Sequence, residues 1–216
     1  MPLIVAFHGR TNSNEQVRSY YRLDREITDA FIVYPAALSN GNGTFSWSDG
    51  TNKPSEFRDI AFFDAIVERL SKEYCIDMER IFVVGHSLGA WFSNSLACVR
   101  GDVIRASATV GGDSVITDCA GPSAALIINN PDDKLSLFSG AQKHRDQRIK
   151  ENVCRTETQP TNPASLNCYA YLSCLNGNEV HWCPHEKDTD DRGDYYPHNW
   201  PRETAGAIAE FFGNLR

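Results

Sequence analysis

The sequence predicts a doubly wound α/β fold, a mostly parallel sheet with helices on both faces. Three observations predict it. Short, continuously apolar runs recur, among them Leu3-Ile4-Val5-Ala6-Phe7, Ile81-Phe82-Val83-Val84 and Ala124-Ala125-Leu126-Ile127-Ile128, as strands buried on both faces require. Stretches with apolar residues at helical spacing separate these runs, and such alternation implies parallel strands joined by right-handed crossovers. The run at 81–84 ends in Gly85-His86-Ser87-Leu88-Gly89 and passes straight into Trp91-Phe92-Ser93-Asn94-Ser95-Leu96-Ala97, which reads as strand, tight turn and helix.

Taken in order, Leu3 to Phe7 form a strand too hydrophobic for a sheet edge, so N-terminal strands are expected to be missing from the sheet or to precede it in a longer parent sequence. His8-Gly9-Arg10-Thr11-Asn12 is a polar loop, a helix is predicted over 15–28, and Phe31-Ile32-Val33-Tyr34 before Pro35 is the next strand. The Gly-, Asn- and Ser-rich stretch 37–53 is loop, with Phe45 and Trp47 expected to line a pocket. Over 57–74, Ile60, Phe63, Val67, Leu70 and Tyr74 mark the core face of a helix, with Arg58, Asp59, Glu68, Arg69 and Lys72 on the opposite surface. After the elbow come strands at 106–110 and 124–128 and a polar helix over 137–151, on which His144 is expected to be solvated. Cys168 to Leu172 and Glu179 to Trp182, separated by Asn176-Gly177, read as strand, turn and strand. An acidic loop over 184–197 precedes a last helix over 203–215, whose Ile208, Phe211, Phe212 and Leu215 share one face.

At 216 residues the chain reads as a single domain, 1–216, with one sizeable core. A charged fraction of 23% and an apolar fraction of 41% suit a soluble globular chain, and no apolar run approaches the ~20 residues of a membrane helix. A net charge of -7 without a basic cluster excludes nucleic acid and anionic membranes as favoured partners, and a monomer is expected. Seven cysteines without a Cys-x-x-Cys pair point to disulfides in an oxidising compartment, hence secretion. Asn42-Gly43-Thr44 fits the N-glycosylation acceptor pattern. Met1-Pro2-Leu3 leads directly into a strand with no signal peptide in front, as expected after removal of a leader or truncation.

A serine at such an elbow is exposed on a strained turn, and Ser87 is the candidate nucleophile. Its hydroxyl needs a base to take its proton and a third group to hold that base. With an elbow of this kind the chain order is Ser, then acid, then His. Asp132 and Asp133 follow the strand ending at Ile128, where parallel sheets keep functional residues, and spacing alone does not separate these neighbours. His198, in a loop before the last helix, is the candidate base over His181 and His185, which lie in and immediately after the hairpin. The N–H of Leu88 supplies one donor for an oxyanion, and that of Arg10 or Thr11 the other. His86 reads as a residue lining the site.

On these residues the chain resembles the secreted esterases that group feruloyl esterases, acetylxylan esterases and poly(3-hydroxybutyrate) depolymerases within the α/β-hydrolase superfamily. The resemblance runs through His8-Gly9, Asp59, Tyr74-Cys75-Ile76-Asp77, Arg80 to Val83, Leu96-Ala97-Cys98 and Val110-Gly111-Gly112. It continues at Val180-His181-Trp182-Cys183 and at His198 with Trp200-Pro201. It implies the catalytic set Ser87, Asp133 and His198, with Asp133 rather than Asp132 as acid, and no metal or cofactor. It also implies a disulfide between Cys98 and Cys119, leaving the pairing of Cys75, Cys154, Cys168, Cys174 and Cys183 open. The implied reaction is hydrolysis of carboxylic esters through an acyl-enzyme, on feruloylated or acetylated xylan, with Trp47, Trp91 or Trp200 stacking on an aromatic acid or sugar ring. The rival readings are a polyester depolymerase with the same residues and an inactive carbohydrate-binding homologue.

Overall fold

The computed structural model describes residues 1–48, 57–114, 116–186, 189 and 193–215. Strands β1 (Leu3–Phe7) and β2 (Phe31–Val33) pair in parallel, while β3 (Leu38–Ser39) and β4 (Phe45–Ser46) make a small antiparallel hairpin apart from them. Next come β5 (Ile81–His86), β6 (Ala106–Val110), β7 (Ala124–Asn129), β8 (Thr158–Pro160), β9 (Tyr169–Tyr171) and β10 (Val180–Pro184). The main sheet has eight strands in the order β2-β1-β5-β6-β7-β10-β9-β8, parallel as far as β10 and antiparallel at β9 and β8. β1 lies inside the sheet, in keeping with its wholly apolar sequence.

The helices are α1 (Asn14–Tyr21), α2 (Leu23–Glu26), α3 (Arg58–Glu73), α4 (Leu88–Val99), α5 (Phe138–Glu151) and α6 (Thr204–Asn214). Alternation along each strand sorts them onto two faces. Leu3, Val5, Phe7, Ile81 and Val83 pack against Ile60, Phe63 and Val67 of α3 and Phe92 and Leu96 of α4. Ile4, Ala6, Phe82 and Val84 meet Val17 and Tyr21 of α1, Leu23 of α2 and Ile208, Phe211 and Phe212 of α6 on the other side. This is the predicted class, and it brings the loops after β1, β5 and β7 to the carboxyl edge of the sheet, where α/β proteins place their sites.

Local details depart from the sequence reading, each for a physical reason. The helix predicted over 15–28 is broken at Arg22, whose φ of 56° is left-handed. Tyr21 and Leu23 are both fully buried, and positions two apart on one continuous helix cannot share a face, so the chain turns between them. The loop over 37–53 contains the β3–β4 hairpin as far as Ser48; its residues from 49 onward lie outside the described residues. Strand β8 was not predicted: it is polar, exposed and ends in proline, as an outermost strand often does. Asp59, expected on the exposed side of α3, is 4% exposed, where it accepts the Ser48 N–H and pairs with Arg58. Tyr74, expected in the core, is 48% exposed. His144, expected to be solvated, is 1% exposed because the inner face of α5 is built from Gly140, Ala141, His144 and Arg148 at helical spacing. That face is too polar to reveal itself by hydrophobic periodicity.

Disulfides join Cys98 to Cys119, Cys154 to Cys174 and Cys168 to Cys183, and Cys75 is free and exposed. The first matches the pairing the resemblance implies, and the third ties β9 to β10. In the chain-entropy account, loops of these lengths are each worth about 3 kcal/mol.

The elbow depends on two glycines. A Cβ on Gly89 would lie 2.1 Å from the Phe7 carbonyl oxygen, and one on Gly85 would lie 2.2 Å from the Gly89 carbonyl oxygen. Backbone fills both places, so no side-chain rotation relieves the clash. Gly89→Ala is expected to cost about 3 kcal/mol or more, read as a lower denaturant midpoint, and an unchanged midpoint would contradict this packing.

Candidate active site

Ser87 occupies the single residue between β5 and α4, with φ 56° and ψ -125°. For a non-glycine residue this conformation costs on the order of 1–3 kcal/mol and persists only when its surroundings dictate it. Here the Ser87 N–H donates to the Val110 carbonyl at 3.0 Å and its own carbonyl accepts from Ala90 and Trp91, fixing the turn from both sides. The hydroxyl therefore projects from the sheet edge into a cleft of about 1470 Å³.

Three side chains from separate loops form one hydrogen-bonded chain there. The Ser87 Oγ lies 2.8 Å from His198 Nε2, and His198 Nδ1 lies 2.7 Å from Asp133 Oδ2. The other Asp133 oxygen accepts the N–H groups of Leu135 at 2.8 Å and Ser136 at 2.9 Å. Burial pushes the Asp133 carboxyl up, but the hydrogen bond from His198 and those backbone donors outweigh it and hold the group below its ordinary value. An ionised Asp133 requires Nδ1 to carry the imidazole proton, which leaves Nε2 bare to accept the Ser87 hydroxyl. Gly111, with φ 59°, lets the chain pass close to this pair: a Cβ there would sit 3.2 Å from the His198 ring and 3.3 Å from Asp133.

The neighbours left open by spacing separate in space. Asp132 faces solvent and accepts from the Tyr195 hydroxyl at 3.3 Å. His181 bonds Glu179 at 2.9 Å and packs on Phe211, while His185 is buried, its backbone N–H donating to the Asn129 carbonyl.

The loop carrying Arg10 and Thr11 lies against the elbow; a Cβ on Gly9 would stand 3.4 Å from Ser87 Cβ. The β3–β4 hairpin holds this loop: Trp47 Nε1 donates to the His8 carbonyl at 2.9 Å and the Phe45 N–H to the Arg10 carbonyl at 2.7 Å. His8 completes the clamp, donating from Nδ1 to the Gly9 carbonyl and accepting the Ala37 N–H on Nε2. Burial holds His8 below its ordinary value, so it stays neutral as this pattern requires. Arg10, Thr11 and Leu88 line the cleft, as do His86, Trp91 and Trp200. Trp47 does not. Expected to meet substrate, it lies 8% exposed beneath the loop, stacked on Phe92 and edge-on to Phe7. A tryptophan whose N–H finds a backbone partner is a core residue even inside a Gly-rich loop.

Cleft-lining residues absent from the sequence reading include Tyr20, Arg22, Leu135, Tyr196 and Arg202. Tyr20 had one legible signal, the Tyr20-Tyr21 pair, whose rings must leave a helix in different directions; Tyr21 enters the core and Tyr20 reaches the elbow. Among the described residues, the one cluster of metal-type donors is Cys98, Cys119 and Glu151, whose two sulfurs are already joined to each other.

Several buried imidazoles are kept neutral. Burial drives His86 down to about 3 and His185 to about 4, and His144 well below its ordinary value. In the unfolded chain these rings take up protons near ~6.5, so below that pH the unfolded state binds more protons than the folded state. Their contribution is fully present above ~6.5 and is lost as pH falls toward 4, at about 1.4 kcal/mol per pH unit for each ring kept neutral. Urea midpoints are expected to fall steadily from pH 7 to pH 4.5; a flat series would contradict neutral burial.

The sheet order and the strand-turn-helix elbow are those of the α/β-hydrolase fold. Esterase PE8 shares the fold at a TM-score of 0.69 and 14% identity over 100% of this chain and 93% of its own. No family model matches the chain. Feruloyl esterase D of Neurospora crassa is 32% identical over 188 residues, covering 83% of this chain and 61% of that protein. Feruloyl esterase C of Emericella nidulans is 29% identical over 176 residues, covering 76% and 60%. Poly(3-hydroxyalkanoate) depolymerase C of Paucimonas lemoignei is 26% identical over 114 residues, covering 51% and 28%. The chain is similar over most of its length to feruloyl esterases, and it spans less than two thirds of the length of these relatives.

Proposed function

We propose that this chain is a serine esterase that hydrolyses carboxylic esters through an acyl-enzyme, and that its substrates are plant cell-wall esters, feruloylated or acetylated xylan. The observation that carries this reading is the continuous Asp133–His198–Ser87 hydrogen-bonded chain opening into the cleft. His198 Nε2 takes the Ser87 proton as Oγ attacks the ester carbonyl. The backbone N–H of Leu88 and that of Arg10 or Thr11 hold the developing oxyanion, each donor worth about 2.7–4 kcal/mol. His198 then protonates the leaving alcohol and activates water against the acyl-Ser87 ester, while Asp133 keeps the imidazole oriented and balances its charge. Trp91 and Trp200 at the cleft wall offer flat apolar surface to an aromatic acid or sugar ring. No metal or cofactor takes part.

The similarity to a poly(3-hydroxyalkanoate) depolymerase supports a second reading, polyester hydrolysis by the same residues. A product assay on methyl ferulate, acetylated xylan and polyhydroxybutyrate separates the two. Release of ferulate or acetate without release of hydroxybutyrate supports the cell-wall reading, and the reverse overturns it. Inertness toward all three in a folded protein favours a binding role without catalysis. The disulfides and the exposed Asn42 acceptor, at the tip of the β3–β4 hairpin, support secretion and action outside the cell; the protein is read as a monomer.

A further inference from the structure

His86 precedes the nucleophile, yet neither of its ring nitrogens is left for substrate. Nε2 lies 3.1 Å from the backbone carbonyl oxygen of His198, 112 residues away, and Nδ1 lies 3.3 Å from the Tyr20 hydroxyl, 66 residues away. A carbonyl only accepts, so Nε2 carries the proton. The ring is 8% exposed, and burial first of all keeps it neutral. Nδ1 is then bare, and the Tyr20 hydroxyl donates to it. Burial also holds the Tyr20 phenol well above its ordinary value, so that hydroxyl keeps its proton. Trp200, two residues beyond the base, stacks on Tyr21 at 3.9 Å and meets the edges of Tyr20 and His86.

From this geometry we propose that Tyr20 and His86 form a latch that positions the base: the tyrosine fixes the imidazole tautomer, and the imidazole pins the main chain of His198 to the nucleophile elbow. Asp133 and Ser87 hold the His198 ring, but a ring on an untethered loop swings with its backbone, and the His86 bond removes that freedom. One residue thereby sets the spacing of both partners, since His86 is covalently joined to Ser87 and hydrogen-bonded to His198. Neutrality is part of the device. The His86 and His198 rings are 5.0 Å apart, and a charged His86 would oppose the imidazolium that His198 becomes during the reaction. Both are positioning residues acting through His198, and the proposal rests on the esterase reading above.

The test measures kcat and KM for p-nitrophenyl acetate, with melting temperature, in wild type, His86→Leu, His86→Gln, Tyr20→Phe and the Tyr20→Phe, His86→Leu double variant. His86→Leu, which deletes the donor, is expected to lower kcat about 10- to 100-fold with KM changed less than about twofold, since a small misplacement of a reacting group is costly. His86→Gln, whose amide N–H can reach the same carbonyl, is expected to recover most of that loss. Tyr20→Phe is expected to lower kcat about threefold to tenfold in wild type and to have no further effect in His86→Leu, because linked residues are not additive. Equal kcat for Leu and Gln at position 86, a rise in KM alone, or effects that multiply in the double variant would overturn the latch. Should His86→Leu fail to fold, Tyr20→Phe and His86→Gln carry the test, and a Tyr20→Phe enzyme with wild-type kcat overturns it. An active wild type with insensitive variants refutes the latch alone; a folded wild type inert toward p-nitrophenyl acetate and methyl ferulate refutes the esterase reading beneath it.

Discussion

Replacing Ser87 by alanine is expected to lower ester hydrolysis by at least about 10⁴-fold while leaving the fold intact. The Ser87 Oγ both contacts the base and opens into the cleft, and among the described residues no other hydroxyl shares the His198 Nε2 bond. The substitution keeps the left-handed φ of 56°, so its stability should stay close to that of wild type. Ser87→Gly makes a sharper comparison. It removes the same nucleophile and also relieves the turn, so it is expected to be equally inactive and about 1 kcal/mol more stable than Ser87→Ala. Activity assays on methyl ferulate and urea midpoints read both. A Ser87→Ala enzyme that retains a tenth of wild-type turnover would exclude Ser87 as the nucleophile.

Asp133→Asn is expected to lower kcat by about 10⁴-fold, the effect of allowing the wrong imidazole tautomer. An ionised carboxylate forces His198 to donate from Nδ1; an amide can present its NH₂ to that nitrogen, moving the proton to Nε2, where it faces Ser87 and blocks the base. The two backbone donors from Leu135 and Ser136 favour an oxygen at the Oδ1 position, which turns the amide NH₂ toward His198. Asp132→Asn is the matched control. Its side chain is exposed and reaches only Tyr195 among described partners, so turnover is expected to stay within about twofold, as for ordinary surface substitutions. Similar losses in the two variants would exclude a specific role for Asp133.

The framework and most of the candidate site were legible because each rests on a local rule. The strands declared themselves through β-branched runs, and the elbow through glycines that the structure packs against the backbone of Phe7 and Gly89 itself. Ser87 and His198 followed from residue type and chain order. Choosing between Asp132 and Asp133 required the resemblance, since the two differ only in which way a loop carboxylate turns. The illegible parts depend on long-range partners. Nothing near Trp47 announces that its N–H will find the His8 carbonyl, and nothing in the polar sequence of α5 announces that His144 and Arg148 face inward. The break at Arg22 has no glycine to mark it, being imposed by the burial of Tyr21 and Leu23 on either side. His86 could be placed at the site from sequence, but its bond to the His198 backbone spans 112 residues and is visible only in three dimensions.

The acyl-enzyme is the centre of this account, and trapping it is the most direct measurement. Mixing the protein with p-nitrophenyl acetate, quenching in acid within the first turnover and sequencing the digested peptides by mass spectrometry reads where the acetyl group resides. The account predicts a burst of nitrophenolate close to one equivalent per chain, with acetyl on Ser87 and none in Ser87→Ala. Hydrolysis without a burst or adduct, or an acetyl group carried on another residue, would contradict it.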